Sequence, residues 1–233
     1  MTNKTTAAGM KAVPNNQIAR DLTKADIEKM AKDACNWGKW GPDDEIGTLN
    51  YITPKQLIEA AKLVKKGKSI SLGLDFNFHG PQTTGWGNRF NPIHTMLATG
   101  TDAISGNQDA GGIRYADDMV SMPLQCGTQW DALAHIFYGD HMWNGYSAAL
   151  VDSTGAKKNG IEKTRAKMIG RGILLDVARF KGGDFLADGY GISNQDLDDC
   201  AKAQGVEIKE GDFVIVRTGQ MEERLARGDW DSY

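Results

Sequence analysis

Histidine, proline and cysteine are all scarce in this chain, which holds 4 His, 6 Pro and 3 Cys in 233 residues. The cysteines, Cys35, Cys126 and Cys200, are odd in number and have no CxxC spacing. That argues against a disulfide framework and marks them as free thiols in a reducing compartment, so a cytoplasmic location is expected. Few prolines beside 28 glycines indicate many tight turns and close backbone approaches, not a helical bundle. No run nears the roughly 20 apolar residues of a membrane span, and no membrane partner is expected. Basic residues are scattered apart from 65-KKGK-68, and the net charge is −3, so nucleic acid is not an expected partner either. The first 20 residues are polar and lack the apolar core of a signal peptide, so they read as a flexible N-terminal arm before a single domain over 21–233.

What is present is ordinary globular material, 40% hydrophobic and 24% charged. Residues 23–34 predict a helix capped by Thr23, with Ile27, Met30 and Ala31 as its apolar face. The stretch 36-NWGKWGPDDEIGTLN-50 has low regularity and reads as loop. Thr53 and Pro54 open a second helix that Gly67 stops, and Ser193 opens a third that Gly205 stops. Strands are predicted at 69–76, 93–98, 119–124, 172–178 and 212–218. Helices and strands interleave without regular crossovers, which predicts an α/β or α+β fold with mixed sheets. Two long loops, 78–92 and 99–118, flank the strand at 93–98 and are expected to line or cover a site.

The stretch 125-QCGTQWDALAH-135 places Gln125, Gln129, Asp131 and His135 at steps of four, two and four. A short helix opening near Trp130 would put Asp131 and His135 on one face. A carboxylate and an imidazole so placed can form a metal pair, an acid/base pair or a simple hydrogen bond. Cys126 beside Gly127 reads as a small buried hydrophobe rather than a nucleophile. His79 and His94 have no partner at ligand spacing, and His141 is expected in an exposed turn.

The stretch resembles the motif HxGTHxDxPxH of the cyclase family of metal-dependent hydrolases, which includes bacterial kynurenine formamidases (arylformamidases) and isatin hydrolases. Gly127, Thr128, Asp131 and His135 match in register, both early His positions are Gln, and the Pro position is Leu133. The QxxxQxDxxxH variant resembles the trans-dienelactone hydrolases of the same superfamily. Residues 36–54, 89–96, 117–125, 170–179 and 212–219 extend the resemblance over most of 36–219.

The resemblance implies a swivelling β/β/α fold. It also implies a divalent metal on Gln125, Gln129 and Asp131, with His135 as general acid/base. An all-oxygen ligand set suits hard cations, and Mn²⁺ is expected ahead of Zn²⁺ or Mg²⁺. Trp86, His94 and Trp130 are expected to border a small-molecule substrate, and a homo-oligomer is expected. Hydrolases of the family that the chain resembles also use a His and a carboxamide or Glu from their C-terminal part, whereas no His follows His141 here. A C-terminally incomplete domain is therefore expected. Three functions stay open: hydrolysis of a small cyclic ester, cyclic amide or aryl formamide by metal-activated water; a binding protein with a decayed site; and a ring-forming cyclase or dehydratase.

Overall fold

The strands run in chain order as β1 (Ala12–Val13), β2 (Ile93–Ala98), β3 (Asp117–Ser121), β4 (Val151–Asp152), β5 (Gly155–Ala156), β6 (Gly172–Asp176), β7 (Phe185–Leu186) and β8 (Phe213–Arg217). They come from a computed structural model that describes residues 9–83, 87–108 and 111–230, with the backbone alone at 19–20. The chain divides into two compact units: one holds residues up to Lys68 and Trp130–Arg227, the other Ser69–Gln129 and the residues from Gly228 on.

The first unit centres on the parallel pair β6–β8, in register from Gly172 opposite Phe213 to Asp176 opposite Arg217. Alternation along β6 buries Ile173 and Leu175 and leaves Leu174 exposed, as a strand covered on one face requires. Leu175 and the following Val177 are fully buried, and with Ala178, Leu186, Cys200 and Ala201 they form the core. The helix Asn194–Ala203 packs here. The Ser193 hydroxyl accepts from the Asp196 N–H, and the Asp196 carboxylate accepts from the Ser193 N–H, so two otherwise unpaired donors are satisfied reciprocally. Gly205, at φ 66, follows its end as expected. Thr23 with Asp26 and Thr53 with Gln56 make the same box.

The N-terminal stretch departs from the expected loose arm. Residues 1–8 lie outside the described residues, but β1 pairs in parallel with β7, Lys11 N–H donates to Asp184 at 2.7 Å, and Val13 is buried. The helix Lys24–Asp33 forms where predicted, yet buries no residue, so Ile27 and Met30 face outward. The second predicted helix is shorter, Pro54–Ala61. The helix Gln220–Arg227 was not foreseen: its buried positions are Glu223 and Arg224, and Met221 and Leu225 are exposed, the reverse of the usual apolar stripe. Gly219 before it sits at φ 77, where a Cβ would lie 2.0 Å from the Asp184 carbonyl oxygen.

The second unit is built on the antiparallel ribbon β2–β3, with Ile93 opposite Ser121 and Thr95 opposite Met119. β3 begins and ends earlier than the predicted 119–124. The predicted strand at 69–76 does not form. Ile70 and Leu72 are exposed there, and the Leu74 N–H donates to the Thr128 hydroxyl at 3.0 Å instead of entering a ladder. The long loop 99–118 contains a short helix, Gly100–Ile104. Parallel and antiparallel pairs thus coexist with helices, and the mixed α/β expectation holds in that form. Among the described residues no helix is long and apolar enough to cross a membrane.

Candidate functional site

β3 delivers the chain into the turn that carries the two glutamines. Gln82 holds this turn by donating its amide to the Gln125 carbonyl at 2.8 Å. Cys126 is buried, as a small hydrophobe would be. The side chains of Gln125 and Gln129 meet: the Gln129 amide donates to Gln125 Oε1 at 2.9 Å.

That contact bears on whether the pair suits a cation. Two oxygens bound to one octahedral ion at ~2.1 Å stand about 3 Å apart, so the spacing of the two amides fits. Gln129 presents nitrogen to Gln125, and rotation about its soft terminal torsion presents oxygen instead. Among the described residues no three of His, Cys, Asp and Glu gather at a common point.

Asp131 and His135 belong to the other unit and sit in a turn, not in the short helix expected from their spacing. The His135 N–H donates to the Ala132 carbonyl at 2.9 Å, and the Ala134 N–H is taken by the Asn159 carbonyl at 3.2 Å. With that carbonyl outside the local segment, the helical ladder does not propagate. The turn still brings His135 Nε2 to 3.9 Å from Asp131 Oδ1. This separation is electrostatic rather than a hydrogen bond.

Asn159 is itself fully buried in the left-handed region, at φ 59, and donates its amide to the Trp143 carbonyl at 2.8 Å. Its N–H donates to Glu45 at 2.9 Å, and Lys158 and Lys163 stand 3.1 and 3.7 Å from the same carboxylate. Burial pushes the Glu45 carboxyl up, but the Asn159 N–H and the two ammonium groups together hold it below the ordinary carboxylate range. The neighbouring Asp44 accepts from the Gly47 N–H at 2.8 Å and the Asn50 amide at 2.6 Å, fixing the 3₁₀ turn Gly47–Tyr51. Asp44 and Glu45 are therefore structural braces.

A cavity of about 370 Å³ opens beside this turn. Leu49, Tyr51, Trp130, Asp131, Leu133 and Phe213 are among its lining residues. The Trp130 and Phe213 rings meet edge-on at 5.9 Å. The size falls within the ~300–1,000 Å³ of small-molecule sites. Asp212, also on the lining, is 3.7 Å from Arg171 and accepts from the Lys209 N–H.

Trp130 thus borders a cavity together with Asp131. His94 instead lies on the β2–β3 ribbon, its Nε2 at 2.7 Å from Asp118, and Trp86 falls outside the described residues. His141 is exposed, as expected. Sequence reasoning missed Tyr51, Phe213, Glu45 and Asn159. Asn159-Gly160 carried a turn signal that could have marked a left-handed residue, whereas nothing local to Tyr51 or Phe213 pointed at the cavity.

The profile of the family described as "Putative cyclase" matches residues 69–233. A crystal structure of a protein described as a novel cyclase is 42% identical in sequence, with a TM-score of 0.76. The match covers 81% of this chain and 63% of that one, so the chain spans less than two thirds of its relative's length. No curated protein matches the chain at a significant level.

Proposed function

The chain belongs to the putative cyclase family, and from that premise we propose that it is a metal-dependent hydrolase of a small cyclic ester, cyclic amide or aryl formamide. The observation that carries the reading is Asp131. It lies on the lining of a cavity of small-molecule size and stands 3.9 Å from the one imidazole of the motif, His135. Gln125, Gln129 and Asp131 are the proposed ligands. A bound divalent cation, Mn²⁺ ahead of Zn²⁺ or Mg²⁺, would polarise the carbonyl and make water a better nucleophile.

The residues divide the remaining work. His135 removes a proton from the attacking water and returns it to the leaving oxygen or nitrogen as the C–O or C–N bond breaks. Asp131, opposite its ring, stabilises the imidazolium in between. The apolar walls around Trp130 and Phe213 hold the organic part of the substrate away from water.

The test is metal analysis beside a panel of lactones, cyclic amides and aryl formamides. Asp131→Ala should lose both Mn²⁺ and activity. His135→Gln should keep the metal and lose about 10²–10⁴ in rate. Equal inactivity of the native protein and Asp131→Ala on the whole panel with Mn²⁺, Mg²⁺ and Zn²⁺ would overturn the proposal.

One observation favours a second reading. The Gln129 amide is already satisfied by Gln125, as suits a metal-free binding protein of the same fold. Calorimetry separates the two: no Mn²⁺ uptake at micromolar concentration, with unaltered thermal stability, favours the binding protein. The family description favours a ring-closing reaction, which the same groups could serve, and product analysis distinguishes it from hydrolysis.

A further inference from the structure

We propose that Tyr51, polarised by Lys39, donates the hydrogen bond that holds the carbonyl oxygen of the ligand in the cavity beside Asp131. The inference rests on the proposed function for its chemistry but on separate residues for its geometry. Tyr51 ends the 3₁₀ turn that Asp44 fixes, and it lines the cavity. The Lys39 ammonium donates to the Tyr51 phenolic oxygen and lies 4.8 Å from the centre of its ring and 5.5 Å from that of Trp40. Trp40 in turn meets Tyr51 edge-on at 5.2 Å. The hydrogen bond to Tyr51 is the main cause that raises the Lys39 pKa, so the group stays a cation.

A phenolic oxygen that accepts from an ammonium keeps its own proton to give. Among the described residues no acceptor takes it. A hydroxyl polarised in this way is a stronger donor than an isolated one, because hydrogen bonds in a chain reinforce each other. The other polar groups on the lining are less suited, and among the described residues no cation backs the Trp130 indole N–H. Asp131 and Asp212 are acceptors when ionised. Thr164 already donates to the Ile161 carbonyl at 2.8 Å. Thr48 is the remaining hydroxyl and serves as the internal control. The cavity therefore offers apolar walls and one charge-backed donor, which suits a carbonyl compound with an apolar ring. A donor aimed at a carbonyl oxygen also stabilises the negative charge that develops there during attack.

The test compares two unreactive probes of similar shape, acetophenone and ethylbenzene, by calorimetric titration of the full chain. Acetophenone should bind more tightly, and Tyr51→Phe should weaken it about tenfold while ethylbenzene stays within about twofold. Lys39→Met should give roughly a threefold loss for acetophenone alone, and Lys39→Arg should restore most of it. Thr48→Val should leave the ratio of the two affinities unchanged. The proposal is overturned if Tyr51→Phe leaves that ratio intact or weakens both probes together, or if neither probe binds the native protein. Neither probe needs a metal. Failure of Mn²⁺ uptake would thus overturn the hydrolase reading alone, and an unchanged probe ratio would overturn the Tyr51 assignment alone.

Discussion

Glu45→Gln puts a number on the brace behind the Asp131–His135 turn. The Glu45 side chain is 14% exposed, accepts the Asn159 N–H at 2.9 Å and lies 3.1 Å from Lys158. Hydrogen bonds to a charged partner are worth about 1.5–3 kcal/mol each, and a neutral one about 0.5–1.5. Glutamine keeps one carbonyl oxygen for the Asn159 N–H but loses the charge. The expected loss is therefore ~1–2 kcal/mol at neutral pH after the relief of burying a carboxylate is credited. The folded carboxyl is held below its ordinary value. Its contribution is thus complete above the unfolded pKa of about 4.3 and fades as pH falls through the folded value.

Urea unfolding followed by tryptophan fluorescence at a series of pH values is the assay. The gap between native protein and variant should be full at pH ~6–7 and close as the acid limit is approached, with unchanged denaturant slopes. Because the Asn159 carbonyl accepts the Ala134 N–H, that amide should also exchange about 5–30-fold faster in the variant. A variant as stable as the native chain at pH 7 would refute the reasoning, as would a gap that persists undiminished in acid.

Three further outcomes are expected. Leu175→Ala removes a fully buried side chain from the core under β6 and should cost ~2–5 kcal/mol in unfolding free energy; a loss well under 1 kcal/mol would contradict that placement. In the folded protein Cys35 alone should react quickly with an aromatic disulfide reagent: Cys126 and Cys200 are buried, and burial, with the Asp176 carboxylate, pushes the Cys200 thiol up. Gly219→Ala places a Cβ against the Asp184 carbonyl at a left-handed backbone position. It should destabilise by well over the ~1 kcal/mol of an ordinary glycine substitution, whereas equal thermal stability would show that the turn can relax.

What the sequence made legible follows from which interactions are local. Capping boxes lie within four residues, so the helices opened by Thr23, Thr53 and Ser193 could be read directly. The ribbon strand β2 and the parallel pair β6–β8 were likewise visible as short runs rich in β-branched or apolar residues. What failed depended on distant partners. The 69–76 run has strand composition, but among the described residues no strand pairs with it to complete a ladder. WDALAHIF has helical spacing, yet Asn159, 25 positions beyond Ala134, takes the Ala134 N–H. Gln220–Arg227 buries an Arg and a Glu, and a carboxylate at Asp188, 2.7 Å from Arg224, makes that tolerable. The Asp131–His135 proximity was legible through chain spacing alone, even though its predicted helical cause was wrong. The cavity beside it was not, because Tyr51 and Phe213 reach it from remote segments.

The two amides have a consequence of their own for metal choice. The Gln129 amide donates to Gln125 Oε1 at 2.9 Å, so a cation held by the two amide oxygens would have to displace a neutral hydrogen bond worth about 0.5–1.5 kcal/mol. The cation must also be content with neutral oxygen, since Asp131 would supply the sole ligand charge. Both effects weaken binding, and the second weights selection toward harder ions. Replacing the pair by imidazole, Gln125→His with Gln129→His, removes the competing amide contact and exchanges oxygen for nitrogen. The doubly substituted chain should bind divalent metal more tightly, and its Zn²⁺ over Mn²⁺ preference should rise by an order of magnitude or more. Competition titration with a chromophoric chelator reads both numbers on one sample. If the preference does not move, neither glutamine lies on the metal, and the ligand set must be sought elsewhere on the chain.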